Sequence, residues 1–386
     1  MNAAVIVDAI RTPSGRGKAG GQLSGFHPVD LLAEVLSKLA HRNDLDPFLV
    51  DDVIGGCLSQ VRRQAVNITR NAVLAAGFPD SVPGTTIDRQ CGSSQQAMSF
   101  AAQGVIAGAY DVVIACGVEL MSQNPINAAT LGEDPFGPRI AARYPGGLIG
   151  QGISAELIAQ RWNIDRPTLD AFAARSHERA SAADFSKEIV AVGEDITADE
   201  TVRPGTTVEG LAALRAAFED AEMAARFPEI GDWRVTAGNS SPLTDGASAV
   251  LIMSEERAIS LGLTPRARFH SFAVTGSDPI EMLTGVIPAT RRILDRAKLS
   301  IGDIDTFEVN EAFACVPLAW QAELDADPER VNPRGGAIAL GHPFGSSGTR
   351  LMTTMLNQLE VSGGRYGLQT MCEGGGMANA TIIERY

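Results

Sequence analysis

Long apolar runs are missing from this chain: nowhere does it approach about 20 consecutive apolar residues, so a membrane span is excluded. Cysteine is scarce as well. The five present, Cys57, Cys91, Cys116, Cys315 and Cys372, are odd in number, far apart and never in a CxxC pair. That argues against a disulfide framework or a zinc site and fits a reducing compartment. Positive charge is in deficit, with 32 Lys and Arg against 46 Asp and Glu and a net charge of −14. Nucleic acid and acidic membrane surfaces are therefore disfavoured as partners, although a local arginine cluster or helix terminus could still take an anionic small molecule. The opening MNAAVIVDAIRTP has neither a basic leader before an apolar block nor an Arg-rich presequence, so a cytoplasmic protein is the expectation. What is there, 45% hydrophobic and 20% charged over 386 residues, is an ordinary globular composition with length for two or three domains.

Hydrophobic spacing lays out two similar halves. In the first, Val29, Leu32, Ala33, Leu36 and Ala40 share a helical face, VIGGC at 53–57 reads as a buried strand, and 67–76 reads as a helix closed by Gly77 and Pro79. A strand at 84–87 leads into DRQCGSSQQAM, where Met98, Ala101, Ala102, Val105 and Ile106 mark a helix beginning near Cys91. The apolar run 112–116 is then a buried strand. The second half repeats the plan, with strands predicted at 267–274, 304–313 and 366–371. Its helices are predicted from Pro288 and from Gly348, the latter with Met352, Met355, Leu356 and Leu359 inward. DDVIGGC matches DIDTFEVN, GSSQQAM matches GSSGTRLM, and AYDVVIACG matches RYGLQTMCEG, so the unit is duplicated. The fold class is α/β, each copy a sheet covered by helices on both faces. Between the copies, polar and Gly/Pro-rich stretches alternate with helices. The expected division is a first half at 1–118, an inserted loop domain at 119–245, the rest of the first half at 246–266 and a second half at 267–386.

Reactive groups gather in four segments: Cys91 in DRQCGSS, Asn310 in NEAFA, His342 in GGAIALGHPFGSSGTR and Cys372 in CEGGG. Loops outside the strand ends of open α/β sheets are where ligands bind, and a cleft between copies could collect all four. A thiol at a helix start, among small residues, would ionise more readily than a free one. Each residue also has a plainer reading: Cys91 as a buried turn cysteine, Asn310 as a helix cap, His342 as a turn residue. Cys57 and Cys116 read as core thiols and Cys315 as helix packing, while His27, His41, His177 and His270 have no partner pattern.

These motifs, together with VIVDAIRTPSGR, RPGTTVEGLAALRAAF, TAGNSSPLTDGASAVL and the closing MCEGGGMANATIIERY, resemble those of the thiolase family over essentially the whole chain, and specifically of 3-ketoacyl-CoA thiolases. The resemblance implies a duplicated fold of two mixed sheets in five αβαβα layers. It also implies ping-pong thiolysis of a 3-ketoacyl-CoA to acetyl-CoA and a shortened acyl-CoA. Cys91 would be the nucleophile, His342 its base and Cys372 the acid and base of the second half-reaction. His342 with a water on Asn310, and the backbone amides of Cys91 and Gly374, would form two oxyanion holes. Ser241 and Met282 fall where the family contacts the pantetheine arm. CoA would be a substrate with no metal or tightly bound cofactor, and the chain a homodimer or homotetramer. Two departures stand out: Gly150 and Gln151 replace a His-Met or Pro-Met pair, and Leu283 follows Met282 where the family has glycine. Lost bulk near an acyl pocket suggests branched or ring-bearing chains, as in the actinobacterial steroid-degrading thiolases that DRQCGSSQQA and LQTMCEGGG resemble. Other readings are a biosynthetic acetoacetyl-CoA thiolase and a silent lipid-binding relative, though the latter is expected to lose Cys91, His342 or Cys372. A ketosynthase would lack the second cysteine.

Overall fold

A computed structural model describes residues 3–386. Its strands are β1 (Ala4–Arg11), β2 (Gly15–Arg16), β3 (Asp52–Gly56), β4 (Thr85–Ile87), β5 (Val112–Leu120), β6 (Thr244–Ser254), β7 (Ala267–Gly276), β8 (Thr306–Val309), β9 (Tyr366–Glu373) and β10 (Met377–Arg385). They run in the order β4-β3-β5-β6-β1-β7-β10-β9-β8, with β2 paired to β6. The duplication is explicit in this order. In the first half β3 is parallel to β4 and β5, while β6 is antiparallel to β5 and β1. In the second, Val331 bridges parallel to β8, β8 is parallel to β9, and β10 is antiparallel to β9 and β7. Numbered by chain position within each half, both read 3-2-4-5-1. The two units meet edge to edge where β1 touches β7 through just two antiparallel pairs, Val5 with Arg268 and Ile6 with Ala267.

Every residue of β5 is buried, as a strand covered on both faces requires. The covering comes in layers. The helices Ser93–Ile106 and Ser347–Ser362 lie centrally, with Met98, Ala101, Met352 and Met355 packed among Ile54, Val113, Val250, Phe269 and Ile383 from both halves. Outside the first half sits the helix Pro28–Arg42, started by Pro28 and capped by the His27 ring, which accepts from the Val29 amide at 3.3 Å. Its buried stripe takes in Leu32, Ala33, Leu36 and Ala40 of the expected face and adds Leu31, Val35 and Leu39, while Val29 lies only partly inside. Outside the second half, Val286–Ala297 and Cys315–Leu324 bury Ile293, Leu294 and Trp320.

Between β5 and β6 the chain adds helices at Gly137–Arg143, Gln151–Arg161, Arg166–Ala182, Val208–Ala212 and Ala221–Arg226 but only isolated bridges. A buried ion-pair cluster ties this segment to β1: Arg11 Nε meets Glu188 at 2.7 Å and its Nη1 meets Asp199 at 2.7 Å. With all three partners paired, the buried charges are compensated. Among the described residues no helix is long and apolar enough to cross a membrane.

Candidate active site

A tight turn after β4 presents Cys91. Gln90 takes φ +49°, the Asp88 carboxylate accepts from the Gln90 amide at 2.6 Å, and Ser93 Oγ accepts from the Arg89 amide at 2.9 Å. The helix Ser93–Ile106 starts two residues later, so the sequence places its beginning correctly. Cys91 is buried against Leu351 and Met371, with Phe344 packed on the cluster. A side chain at position 92 would press on Glu373, because a Cβ there would fall 2.0 Å from a Glu373 carboxylate oxygen.

His342 is held from two sides. Its amide donates to Thr244 Oγ1 at 3.0 Å at the start of β6. Nδ1 lies 2.6 Å from Ser347 Oγ, and Nε2 lies 3.2 Å from Asn310 Nδ2. Asn310 follows β8, and its amide donates to the Thr370 carbonyl of β9 at 3.1 Å. It does not cap the next helix, whose first flanking residue is Ala314. Phe344 joins the two groups, since it packs on the Cys91 cluster and stands edge-on to the His342 ring at 5.0 Å.

Cys372 lies inside β9 rather than beyond it, opposite Ala378 of β10. The thiols of Cys91 and Cys315 are near enough to perturb its ionisation. The turn that follows needs glycine at 375 and 376, where φ is +81° and +76°. Gly374 comes up to the Cys91 turn, where a Cβ would lie 2.9 Å from Gln90 Oε1. Ser241 borders the NEAFA segment, its amide and hydroxyl both donating to the Ala312 carbonyl at 3.0 and 3.1 Å. Met282 is buried in the 3-10 turn Met282–Gly285, which abuts Met377 and Ala378. Phe344 thus links Cys91 to the His342–Asn310 pair, and Cys372 lies near the Cys91 thiol, so these four come together from both halves of the chain. Cys57 and Cys116 are buried in the first-half core, apart from them, and Cys315 packs with Cys372. His177 accepts from the Arg203 amide at 3.2 Å, a satisfied role outside this group.

The pocket disfavours charge. Burial pushes the Cys91 thiol up to about 12, with the polar Gln151 side chain working against that shift and the Glu373 carboxylate adding to it. Burial, then the thiols of Cys91 and Cys315 and the Glu373 carboxylate, also raises Cys372 well above its ordinary value. His342 is lowered to about 3 by burial and by the Arg350 charge. The resting pair is therefore a neutral thiol and a neutral imidazole. Glu373 is raised to about 8 by burial, and neither of its oxygens has a hydrogen-bond partner. Glu119 is the buried organiser behind the site, accepting from the amides of Leu58 at 2.9 Å and Gly345 at 3.0 Å and from Gln64 Nε2 at 2.7 Å. Ser347 and Glu119 are the residues whose contacts the motifs did not disclose. A lone acid in the apolar run VVIACGVEL was a readable signal for the last of them. Among the described residues no cluster of His, Cys, Asp or Glu is placed to hold a metal ion.

Residues 4–256 match the model of the thiolase N-terminal domain and residues 263–385 that of the thiolase C-terminal domain. The chain is 49% identical over 400 residues to the steroid 3-ketoacyl-CoA thiolase FadA6 of Mycobacterium tuberculosis, covering 100% of this chain and 95% of that protein. It is 46% identical over 401 residues to a 3-ketoacyl-CoA thiolase of Erwinia tasmaniensis, with both chains covered in full at 100%. The crystal structure of the Bacillus anthracis acetyl-CoA acetyltransferase superposes with a TM-score of 0.87 at 37% identity, covering 100% of this chain and 99% of that one. With both domain models matched in chain order over almost the whole chain, the chain belongs to the thiolase family.

Proposed function

We propose that the chain catalyses CoA-dependent cleavage of 3-ketoacyl-CoA thioesters through an acyl-Cys91 intermediate. The observation that carries this reading is the pairing of His342 Nε2 with Asn310 beside the same Phe344 that covers Cys91, with Cys372 near enough to feel the Cys91 charge. In the first half-reaction the Cys91 proton passes to His342 Nε2 and Sγ attacks C3 of the substrate. The C2–C3 bond then breaks, the acyl group stays on sulfur, and the electron pair leaves with the acetyl-CoA enolate, which takes a proton from Cys372. In the second, the Cys372 thiolate deprotonates CoA, whose sulfur attacks the acyl thioester. Cys91 is released and recovers its proton from His342. Negative charge on the C3 oxygen faces His342 and a water on Asn310, whose Oδ1 has no partner of its own. The thioester oxygen faces the amides of Cys91 and Gly374, a donor pair made possible by a backbone approach that glycine permits.

CoA acts here as substrate, with no tightly bound cofactor, and Ser241 and Met282 line its pantetheine arm. The segment 119–245 is the domain that covers it. The chain works as a homodimer or homotetramer. The acyl group is ring-bearing or branched: FadA6 is named for steroid substrates, Gln151 and Leu283 depart from the family pattern, and a cavity of about 620 Å³ lined by Leu157, Phe227, Ile280 and Glu281 adjoins the Met282 turn. Run in reverse, the same groups condense two acetyl-CoA molecules, and a catalyst does not fix the direction. Intact-mass analysis after addition of a 3-ketoacyl-CoA tests the core reading: an acyl adduct lost in Cys91→Ala supports it, and an unmodified wild-type protein overturns it. Thiolysis rates across straight, branched and polycyclic 3-ketoacyl-CoAs test the substrate, and turnover of short straight chains alone would remove the ring-bearing proposal.

A further inference from the structure

Gly92, next to the nucleophile, flanks the start of the helix Ser93–Ile106 and has no side chain with which to cap it. A point one bond out from its Cα, where a Cβ would stand, lies 2.0 Å from Glu373 Oε1 and 2.8 Å from Asn379 Nδ2, so two side chains of the second half meet over this residue. One of them grips it. Asn379 of β10 donates from Nδ2 to the Gly92 carbonyl at 3.1 Å, although that carbonyl already accepts from the Gln96 amide at 2.9 Å within the helix. Asn379 is buried and stands opposite Met371, the β9 residue that packs on Cys91. The same strand relates this grip to the base. Thr370 Oγ1 donates to the Asn379 carbonyl at 2.9 Å, and the Thr370 carbonyl accepts from the Asn310 amide at 3.1 Å. One residue of β9 thus holds both the loop of Asn310, the partner of His342, and the residue that reaches the Cys91 turn. Asn379 Oδ1 is left buried without a partner. Burying a half-paired amide costs stability that an apolar side chain of similar size would not cost, so what the asparagine adds is placement of the turn.

We propose that Asn379 is a positioning residue for the nucleophile: by holding the Gly92 carbonyl from the second half of the chain, it fixes the aim of Cys91 Sγ and of the Cys91 amide relative to His342 and Asn310. This rests on Cys91 being the nucleophile, and the test separates the two claims. Asn379→Leu removes the donor while filling its space, and Asn379→Ala removes it without adding bulk, so agreement between the two isolates the bond from the packing. Full-length wild type and both variants are compared in thiolysis, in iodoacetamide alkylation with adducts mapped by mass, and in thermal denaturation, with the kinetics taken well below each melting midpoint. A misplacement of about 1 Å costs on the order of a hundredfold, so kcat is expected to fall about tenfold to a hundredfold in both variants. KM for CoA stays the same. Cys91 still alkylates near the wild-type rate, because a small electrophile needs neither a fixed trajectory nor the oxyanion donors. A bond that serves stability alone would lower the melting midpoint and leave kcat where it was, and an unchanged kcat in either variant overturns the proposal. Loss of alkylation together with turnover in both marks a collapsed site and overturns it as well. Wild-type adducts mapping first to Cys57 or Cys116 overturn the nucleophile instead.

Discussion

Ser347 Oγ lies 2.6 Å from Nδ1 of His342 and 2.8 Å from the Pro343 carbonyl. A hydroxyl has one hydrogen. Because Ser347 spends it on the carbonyl one turn back, the oxygen must accept from Nδ1–H. The ring is thereby fixed as the Nδ1–H tautomer, and its bare Nε2 lone pair turns toward Asn310 Nδ2. To act as base, that lone pair must exchange the Asn310 donor for the Cys91 proton, and the serine sets which ring nitrogen carries it.

Removing this acceptor leaves Nδ1–H unpaired in a buried pocket and lets the ring rotate or change tautomer. Ser347→Ala is expected to lower kcat about tenfold to a hundredfold, the range typical of a lost partner on a functional imidazole, with KM for CoA little changed. Steady-state thiolysis separates the two constants. A change confined to KM would mean that the hydroxyl serves binding instead.

Asn310 acts on the other ring nitrogen. Its backbone amide is tied to Thr370, so truncating the side chain leaves the loop anchored. Asn310→Ala is expected to lower kcat about a hundredfold to a thousandfold, as loss of an oxyanion-hole donor does, while Cys91 still alkylates near the wild-type rate. Pairing turnover with alkylation distinguishes this from a collapsed site, in which both would fall.

Much of this arrangement was legible because it follows from periodicity and turn chemistry. The all-buried run of β5, the helix starting just past Cys91 and the matched GSSQQAM and GSSGTRLM pieces each correspond to an observed element. The helix 28–42 shows the limit: it is wedged so closely that Leu31, Val35 and Leu39 are buried too, a stripe wider than one helical face predicts. Ser347 was hidden for a different reason. Five residues from His342, it reaches the ring only because Pro343–Ser347 curls into a tight turn whose Ser346 and Ser347 amides both donate to the Pro343 carbonyl at 2.9 Å. Glu373 was masked by the glycines beside it, since its isolation depends on Gly92, a residue from the other half of the chain.

The close approach of the central helices is equally dependent on both halves. A Cβ at Gly348 would fall 2.1 Å from the Gln95 backbone nitrogen, and neither helix can retreat because each is packed among strands of both units. Gly348→Ala is expected to destabilise by about 1–3 kcal/mol or more, as overpacking does. Gly363, at φ +70° with open space around it, offers the comparison: alanine there carries backbone strain alone, about 1–2 kcal/mol. Urea midpoints that fall more for position 348 than for 363 agree with this account, and the reverse order contradicts it.

Glu373 makes the protein's stability depend on pH in a definite direction. Its folded carboxyl is raised from 4.5 to about 8, chiefly by burial, so the folded chain keeps a proton that the unfolded chain has already released. Over the window from about 4.5 to 8 the folded state binds more protons, and stability from this group falls as pH rises, reaching its full penalty above the folded value. Glu373→Gln removes the charge and keeps the shape. The variant is expected to melt close to wild type at pH 5 and progressively above it toward pH 8, read by thermal denaturation across that range. The same anion opposes ionisation of both Cys91 and Cys372, so the variant should also hold its thiolysis rate further into the alkaline range. Melting curves that stay parallel at every pH would place the titrating proton on some other group, of which Glu308, also raised to about 8 by burial beside Arg350, is the first to examine.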